Sequence, residues 1–368
     1  MSRYHVFNNK KECLPGVYSM IGRGIGIPFR HVHGTKSEIS FDKSLVDAWF
    51  MSGYSNDNPP ASISGYKGHE LVLKNFAFAG RSGFGKYATN FNSWKAVYGT
   101  YTATKVVCGT VNTDTITWII RTSNVRMDPL KVRLTNIGSE PIRYYYFQDA
   151  TTRNFVEFQE DGTYTVPASA YSDISTGEGY IGFYQKILAD KQNPLIIELL
   201  PDNAGSLVFD GVDDYAVCDN MPIQTDYTVI CRREIINTNN SSAVVSKRTY
   251  PNDIGSFGAF VIERVTANGS KALYSFGKDN AVDLFNSNQI IYQSKTAYND
   301  RNIIAGDASD TNILSLGANA YNLNLGRCQE FSNVAIYYFA LYDKSLTPDE
   351  IEQEKIKLNE IWTKRLNG

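Results

Sequence analysis

Histidine, cysteine and long apolar runs are scarce in this chain of 368 residues. The 4 histidines leave few candidates for nucleophilic triads or multi-histidine metal sites. The 5 cysteines are odd in number and widely spaced, without a CxxC pair, which argues against a disulfide framework and against a zinc site. We expect buried free thiols, with a Cys218–Cys231 bridge as the alternative in an oxidising setting.

Charge and hydropathy exclude two further classes of partner. The formal net charge is -2 with both signs interspersed, so the chain has no basic footprint for nucleic acid. No apolar stretch approaches the roughly 20 residues of a membrane-spanning helix, and we expect no membrane insertion. The first residues also lack the apolar core of a secretory signal peptide. A protein of this kind that acts outside the cell is expected to leave it by another route.

Aromatic residues are abundant instead, at 13% with 24 Tyr and 19 Phe. Both types favour strands, and short Thr-, Val- and Ile-rich segments alternate with turn residues along most of the chain. These features predict an all-β protein. Tyrosine is also frequent in binding surfaces, because it offers a large contact area and a polar tip at low entropic cost.

Composition shifts divide the chain into four predicted regions. Residues 1–83 are irregular and rich in Gly and Ser, with a short helix at 44–51 and a strand at 70–78, and form a candidate attachment region. Residues 84–203 are predicted to form a central β-sandwich, with Pro201–Gly205 as a linker. Residues 204–345 form a second β-rich domain, and residues 346–368 a terminal helix.

Two local patterns predict particular elements. Asp161-Gly162, between Val156–Gln159 and Tyr164–Val166, is typical of a tight hairpin turn. Thr347, Pro348 and Glu350 form a helix start with a capping box. Ile351, Leu358, Ile361, Trp362 and Leu366 then share one helix face, while Ile356 does not. We expect the helix to dock on its own domain, and the alternative is an oligomer contact through Ile356.

The segment from Gly205 to Val217 contains Asp210-Gly211-Val-Asp213-Asp214-Tyr215, and it resembles the opening strand and turn of LamG-type jelly rolls. Further pieces follow in the order of that family: Asp226–Cys231, Ala243–Lys247, Asn324–Gly326, Glu330–Tyr342 and Ser345–Ile351. The resemblance implies that residues 204–345 fold as a LamG/concanavalin A-like jelly roll with a short terminal helix. The Asp-Gly turn has a physical reason, because Gly permits the tight turn and carboxylates cap backbone N–H groups.

Four short segments resemble LamG-bearing proteins of phages and prophages of gut Bacteroidales: Ala48-Trp49, Asn75–Phe78, Ser82–Gly85 and Tyr101–Thr104. The resemblance implies a virion appendage or fibre protein that leaves the cell by lysis. It also implies contacts with other virion proteins, a homo-oligomer such as a trimer, and recognition of host glycans or proteins. The alternative is a carbohydrate-active enzyme or surface glycan-binding protein of a gut bacterium.

Three polar clusters are candidates for a nucleotide or metal site. Gly80–Lys86 fits most of a P-loop, but Tyr87 stands where the magnesium-ligating Ser or Thr is needed, so we interpret it as a Gly-rich turn. His31 and His33 share one face of a strand without a nearby third ligand. Asp210, Asp213 and Asp214 are interpreted as turn caps, with calcium binding as the alternative. We therefore expect no metal and no cofactor.

Catalytic carboxylates are not evident, since Glu157 and Glu263 have the pattern of ordinary outward positions. We expect a protein without enzymatic activity. Two loops combine Tyr with Asn and Asp, the side chains that stack on sugar rings and meet sugar hydroxyls. The candidate ligand-binding residues are therefore Tyr250, Asn252 and Asp253 in one loop, and Tyr298, Asn299 and Asp300 in the other.

Overall fold

The computed structural model describes residues 39–96, 98–108, 117–123, 125–171, 179–185, 192–236, 242–247, 260–267, 270–275, 288–294, 297–298, 301–302, 312–318 and 331–368. The chain divides into a unit of Met1–Ser40 and a unit of Phe41–Gly368, and the features below belong to the second. Its described strands form four antiparallel sheets, accompanied by a C-terminal helix. The expected all-β fold, with sandwiches, a jelly roll and a terminal helix, is confirmed.

The larger sandwich consists of an eight-stranded and a seven-stranded sheet. The eight-stranded sheet contains β1 (Leu45–Phe50), β4 (Gly83–Lys86), β15 (Asp202–Asp210), β17 (Thr228–Ile235), β21 (Gln289–Ser294), β22 (Ala297–Tyr298), β23 (Arg301–Asn302) and β25 (Asn333–Tyr342). The seven-stranded sheet contains β2 (Ser62–Ser64), β3 (Glu70–Lys74), β16 (Tyr215–Cys218), β18 (Ser242–Lys247), β19 (Phe260–Ala267), β20 (Ser270–Ser275) and β24 (Leu314–Leu316). Side chains from both sheets, including Trp49, Phe209, Leu316 and Phe339, form one buried core.

The smaller, central sandwich consists of two five-stranded sheets. The first has the order β11 (Arg153–Phe158), β10 (Ile142–Phe147), β13 (Tyr180–Gln185), β8 (Thr117–Ser123) and β5 (Lys95–Ala96), and is called the aromatic sheet below. The second has the order β12 (Gly162–Val166), β9 (Leu130–Thr135), β14 (Ile196–Leu200), β7 (Lys105–Val107) and β6 (Thr100–Tyr101), and is called the charged sheet. A short 3-10 helix, Phe91–Ser93, precedes them, and Phe91 lies in their shared core.

The central sandwich is inserted into the larger one, which differs from the sequential order expected. Strand β4 precedes the insertion and β15 follows it, and the two pair directly, with Phe84 opposite Leu207. Strand β1 pairs with β25, β3 pairs with β16 and β2 pairs with β3, so these parts of 1–83 belong to the larger sandwich and are not irregular. The attachment role stays a prediction. Pro201–Gly205 is not a linker, because β14 ends at Leu200 and β15 begins at Asp202.

The predicted helix at 44–51 is wrong, since Leu45–Phe50 is strand β1. Trp49 packs into the core between the two sheets of the larger sandwich, whereas Ala48 and Phe50 pack on the opposite side of their sheet. A strand that is buried on both faces shows no polar alternation, and a short apolar run of this kind cannot be told from a helix by its period.

The predicted hairpin at Asp161-Gly162 is also wrong. Strand β11 pairs with β10 in the aromatic sheet, while β12 pairs with β9 in the charged sheet, so the chain crosses between sheets at this point. The Asp161 carboxylate accepts hydrogen bonds from the N–H groups of Asn136 and Ile137, at 2.8 and 2.9 Å. These bonds tie the crossing to the end of β9, which favours an arch over a hairpin turn.

The terminal helix α1 (Pro348–Asn367) begins as predicted. The Thr347 side chain accepts from the Glu350 N–H, and the Glu350 carboxylate accepts from the Thr347 N–H, which forms a capping box. Its buried residues Ile351, Leu358 and Trp362 pack on the outer side of the eight-stranded sheet, and Ile356 is exposed. Docking on its own domain is thus confirmed. No helix in the described ranges is long and apolar enough to span a bilayer.

Candidate functional site

The two predicted ligand-binding loops lie mostly outside the described residues. This holds for Tyr250, Asn252, Asp253, Asn299 and Asp300, and equally for His31 and His33. The backbone of Tyr298 ends β22 and pairs with Gln293 of β21. The sugar-binding role of these loops therefore stays a prediction.

The Gly80–Lys86 segment is a turn followed by a strand, as interpreted from the sequence. Ala79 and Ser82 form an isolated bridge, and Gly83–Lys86 continues as β4 against β15. Gly83 has a φ of +117°, and a Cβ there would lie 2.6 Å from the Asn56 side-chain oxygen. The Asn56 amide instead bonds both the N–H and the carbonyl oxygen of Phe84. The glycines serve this close backbone approach.

The Asp210–Asp214 turn is held by its own carboxylates. Asp210 accepts from the Val212 N–H at 2.8 Å, and Asp214 accepts from the Asp210 N–H at 2.9 Å. Burial, with the nearby charges of Asp210 and Asp213, raises the pKa of Asp214 to about 7. One Asp214 oxygen is buried without a hydrogen-bond partner. Ligand atoms of the three carboxylates lie within 4.8 Å of one another, and a proton on Asp214 relieves their repulsion near neutral pH.

The buried cysteines of the described region are free thiols. Cys108, Cys218 and Cys231 form no disulfide, and burial raises the pKa of each thiol to about 12. A thiol with such a pKa is a weak nucleophile and a poor metal ligand at neutral pH. The expectation of buried free thiols is confirmed for these three, and Cys13 and Cys328 lie outside the described residues.

The most unusual surface of the described chain is the outer face of the aromatic sheet, which the sequence analysis did not identify as a site. Its outward side chains are large, aromatic or cationic, and we call them the aromatic–arginine face: Trp118, Arg121, Arg143, Tyr145, Arg153, Phe155, Tyr180 and Tyr184. None of them belongs to the core of the central sandwich. They come from four neighbouring strands, β8, β13, β10 and β11.

Trp118 is at the centre of this face. Its ring centroid lies 5.1 Å from that of Tyr184, 5.5 Å from Tyr145 and 6.0 Å from Tyr180. These neighbours leave Trp118 only 9% exposed, although it points away from the core. Phe155 extends the cluster to the sheet edge, 5.4 Å from Tyr145, and is 43% exposed. The rings thus form a continuous, rigid platform.

Three arginines lie against the rings of this platform. The Arg121 guanidinium is 3.8 Å from the Tyr180 ring centroid. The Arg153 guanidinium is 4.9 Å from the Tyr145 ring centroid, and the Arg143 guanidinium is 4.9 Å from that of Phe155. Such stacking orders the long side chains and keeps their charges at the surface. Arg143 also donates to Glu157 at 2.9 Å, which lowers the pKa of that carboxyl.

Two backbone features allow these side chains to share one face. A register shift in β8 places Phe183 opposite Ile120 and Tyr184 opposite Trp118, so that Ile119 and Ile120 both enter the core. Trp118 and Arg121 can then both point outward, which strict alternation would forbid. Gly182 stands between Tyr145 and Arg121 with a φ of +139°, where a Cβ would lie 2.2 Å from the Ile120 carbonyl oxygen.

The opposite face of the same sandwich has a different chemistry. On the charged sheet, Arg133 donates to Glu198 at 3.2 Å and Lys131 donates to Asp202 at 2.6 Å. Thr163 stands beside Arg133 in the register. This is an ordinary solvated surface of paired charges. The cluster of aromatic rings and arginines is therefore a property of one side of the central sandwich and not of both.

The sequence contained part of the signal for this face. In the sequence, Tyr144–Phe147 is a run of aromatic residues, and Trp118 lies in a segment rich in Thr and Ile that favours a strand. Which strands are neighbours is decided by long-range pairing, and the β8 register shift has no local sequence mark. The convergence of these residues therefore needed the three-dimensional structure.

Comparisons with known proteins give no family assignment. No family model matches the chain, and no curated protein matches it. Among solved structures, a mutant of Trypanosoma rangeli sialidase displaying trans-sialidase activity is similar over 83% of this chain and 62% of that chain, with 9% sequence identity and a TM-score of 0.27. The chain thus spans less than two thirds of that protein. A likeness of this size implies neither a shared fold nor a shared activity.

Proposed function

We propose that this chain is a non-enzymatic recognition protein that binds glycans through the aromatic–arginine face. The observation that carries the proposal is the platform formed by Trp118, Tyr145, Tyr180 and Tyr184 with three stacked arginines on the outer side of one sheet. Aromatic rings in such numbers face the core in most sandwiches, and outward placement without a contact to the core needs a reason.

The platform suits a sugar ring in both its apolar and its polar parts. Ring faces of Tyr and Trp accept the C–H side of a pyranose, and the phenol, indole and guanidinium groups offer hydrogen bonds to hydroxyls. Cross-packing of the rings and cation–π contacts hold these groups before a ligand arrives, which lowers the entropic cost of binding.

The density of hydrogen-bond donors on the aromatic–arginine face favours a glycan over a hydrophobic protein partner. Tyr, Trp and Arg are enriched at protein interfaces as well, so the residue types alone do not separate the two kinds of partner. A side-chain hydrogen-bond donor is present on seven of the eight residues of this face. A hydroxyl-rich ligand uses such a surface best.

For the biological setting we propose a phage appendage, mounted on other virion proteins and possessing a LamG-like jelly roll. The support is the resemblance of Gly205–Val217 and of the segments between Ala48 and Thr104, together with the all-β sandwich architecture. We expect the neighbouring genes to encode portal, tail or capsid proteins. A gene neighbourhood of polysaccharide-degrading enzymes alone would contradict this setting.

The glycan proposal is tested on the full-length chain with Phe155→Ala and Trp118→Ala. We expect each substitution to weaken binding to glycans identified on a polysaccharide array by about tenfold or more, because aromatic anchors carry most of the energy of such surfaces. Affinity electrophoresis in polysaccharide-containing gels measures the change.

Tyr101→Ala is the matched control for Phe155→Ala. Tyr101 is 45% exposed and lies on the edge strand of the charged sheet, so the loss of ring area is similar. Circular dichroism checks that every variant is folded. Equal affinities of Phe155→Ala, Tyr101→Ala and the unchanged chain would show that the glycan binds elsewhere.

A further inference from the structure

The charges on the aromatic–arginine face are not balanced. Glu157 pairs with Arg143, but among the described residues no carboxylate forms an ion pair with Arg121. The Nε atom of Arg121 is buried and has no hydrogen-bond partner. Lys95 stands next to Arg121 in the register and adds a further positive charge. Within the described residues, this end of the face therefore has an uncompensated cationic group beside the central rings.

The charged sheet shows that such an imbalance is not general in this sandwich. Arg133 occupies a comparable outward position in a central region of its sheet and is paired with Glu198, and Lys131 is paired with Asp202. Side-chain exposure does not explain the difference, because Arg133 is exposed and still paired. The lack of an acidic partner is thus a property of Arg121 on the aromatic–arginine face.

We infer that the ligand is an acidic polysaccharide with carboxylate groups, such as a uronic acid polymer, and that Arg121 binds its carboxylate. This inference rests on the proposed glycan-binding function and names the ligand class of the same face. A guanidinium presents a planar fork of N–H donors that matches a carboxylate in two parallel hydrogen bonds. Contact with the Tyr180 ring at 3.8 Å restrains the guanidinium before binding.

The arrangement allows one sugar unit and its neighbour to stack on the aromatic rings and to place a carboxylate on Arg121. Tyr180 contacts both Arg121 and Trp118, so the ring platform and the anion-binding group are adjacent. A pyranose ring over Tyr180 and Tyr184, the rings that cover Trp118, then places an acidic substituent toward Arg121.

The test compares polygalacturonate with its carboxyl-reduced form, which keeps the polymer backbone and loses the charge. We expect the full-length protein to bind the acidic form at least about tenfold more tightly, with binding that weakens as salt is raised from about 0.05 M to about 0.5 M. Arg121→Gln is expected to lose about tenfold for the acidic form and little for the reduced form. Arg133→Gln, on the opposite face, is the control with the same loss of charge.

Each other outcome has a definite meaning. Equal binding of both polymer forms, still weakened by Phe155→Ala, would overturn the acidic ligand and leave the glycan proposal standing. Equal losses for Arg121→Gln and Arg133→Gln, with dextran sulfate bound as well, would reveal general polyanion adsorption and overturn the inference. Tighter binding of a single-stranded oligothymidylate, or dimers abolished by Phe155→Ala in sedimentation velocity, would assign the face to nucleic acid or to a second copy. Binding of neither polymer form would overturn the acidic-ligand inference, and the absence of binding to every polysaccharide on the array would overturn both proposals.

Discussion

Asp214 is a buried carboxyl whose environment couples the stability of the larger sandwich to pH. Its pKa is raised from 3.8 to about 7, first by burial and then by the charges of Asp210 and Asp213. The folded state therefore holds a proton that the unfolded chain releases above about pH 4. The resulting stabilisation is complete below the unfolded pKa and is lost as the pH rises through about 7.

Asp214→Asn should consequently have an effect that depends on pH. The amide keeps an oxygen for the Asp210 N–H and can donate toward the Asp210 and Asp213 carboxylates. We expect urea unfolding to show a more stable variant at pH 8 and little difference at pH 5, where Asp214 is protonated anyway. Asp219→Asn removes an exposed carboxylate from the following strand end and serves as control. A variant that is less stable at pH 8 would indicate that the carboxylate is required there, for example by calcium.

At the scale of elements, α1 shows how one helix face contributes to the fold. Leu358 is fully buried against the eight-stranded sheet, and Ile356, two residues earlier, is 67% exposed. Leu358→Ala should lower the free energy of unfolding by about 2–5 kcal/mol, because it removes buried contacts and leaves a cavity. Ile356→Ala should change it by less than about 0.5 kcal/mol. Urea titrations of the two variants measure both values, and similar losses would contradict the docking.

Elements with a strong local signal could be predicted from the sequence. Charged and apolar residues alternate along Lys131–Leu134 in the sequence, which is typical of a half-buried strand, and in β9 Val132 and Leu134 are buried while Lys131 and Arg133 are exposed. The cap at Thr347 fixed the start of α1. The predictions of a helix at 44–51 and of a hairpin at Asp161-Gly162 were wrong because tertiary contacts decide the structure there. Strand β1 is buried on both faces, and Asp161 accepts hydrogen bonds from a distant backbone segment.

At the scale of the whole molecule, the central sandwich is an insertion, and this explains why the domain boundaries and the candidate site could not be predicted from the sequence. Strand β4 precedes the inserted sandwich in the chain and β15 follows it, and the two strands pair with each other. In the linear sequence the inserted sandwich and the second part of the larger one look like two successive domains. The ligand-binding residues predicted from the sequence, such as Tyr250 and Tyr298, fall within residues 204–345. The aromatic–arginine face lies on the inserted sandwich, where strand order and one register shift bring its residues together.

Glycan contact with the aromatic–arginine face is tested most directly by hydroxyl-radical footprinting of the full-length chain. Oxidation of each aromatic side chain, measured by mass spectrometry with and without saturating polygalacturonate, reports which rings the ligand covers. We expect protection of Phe155, Tyr145 and Tyr184, with no change at Tyr101 and Tyr66, which are similarly exposed at 45% and 43% but lie elsewhere. Protection of Tyr101 or Tyr66 with Phe155 unchanged, while the polymer is bound, would contradict the claim.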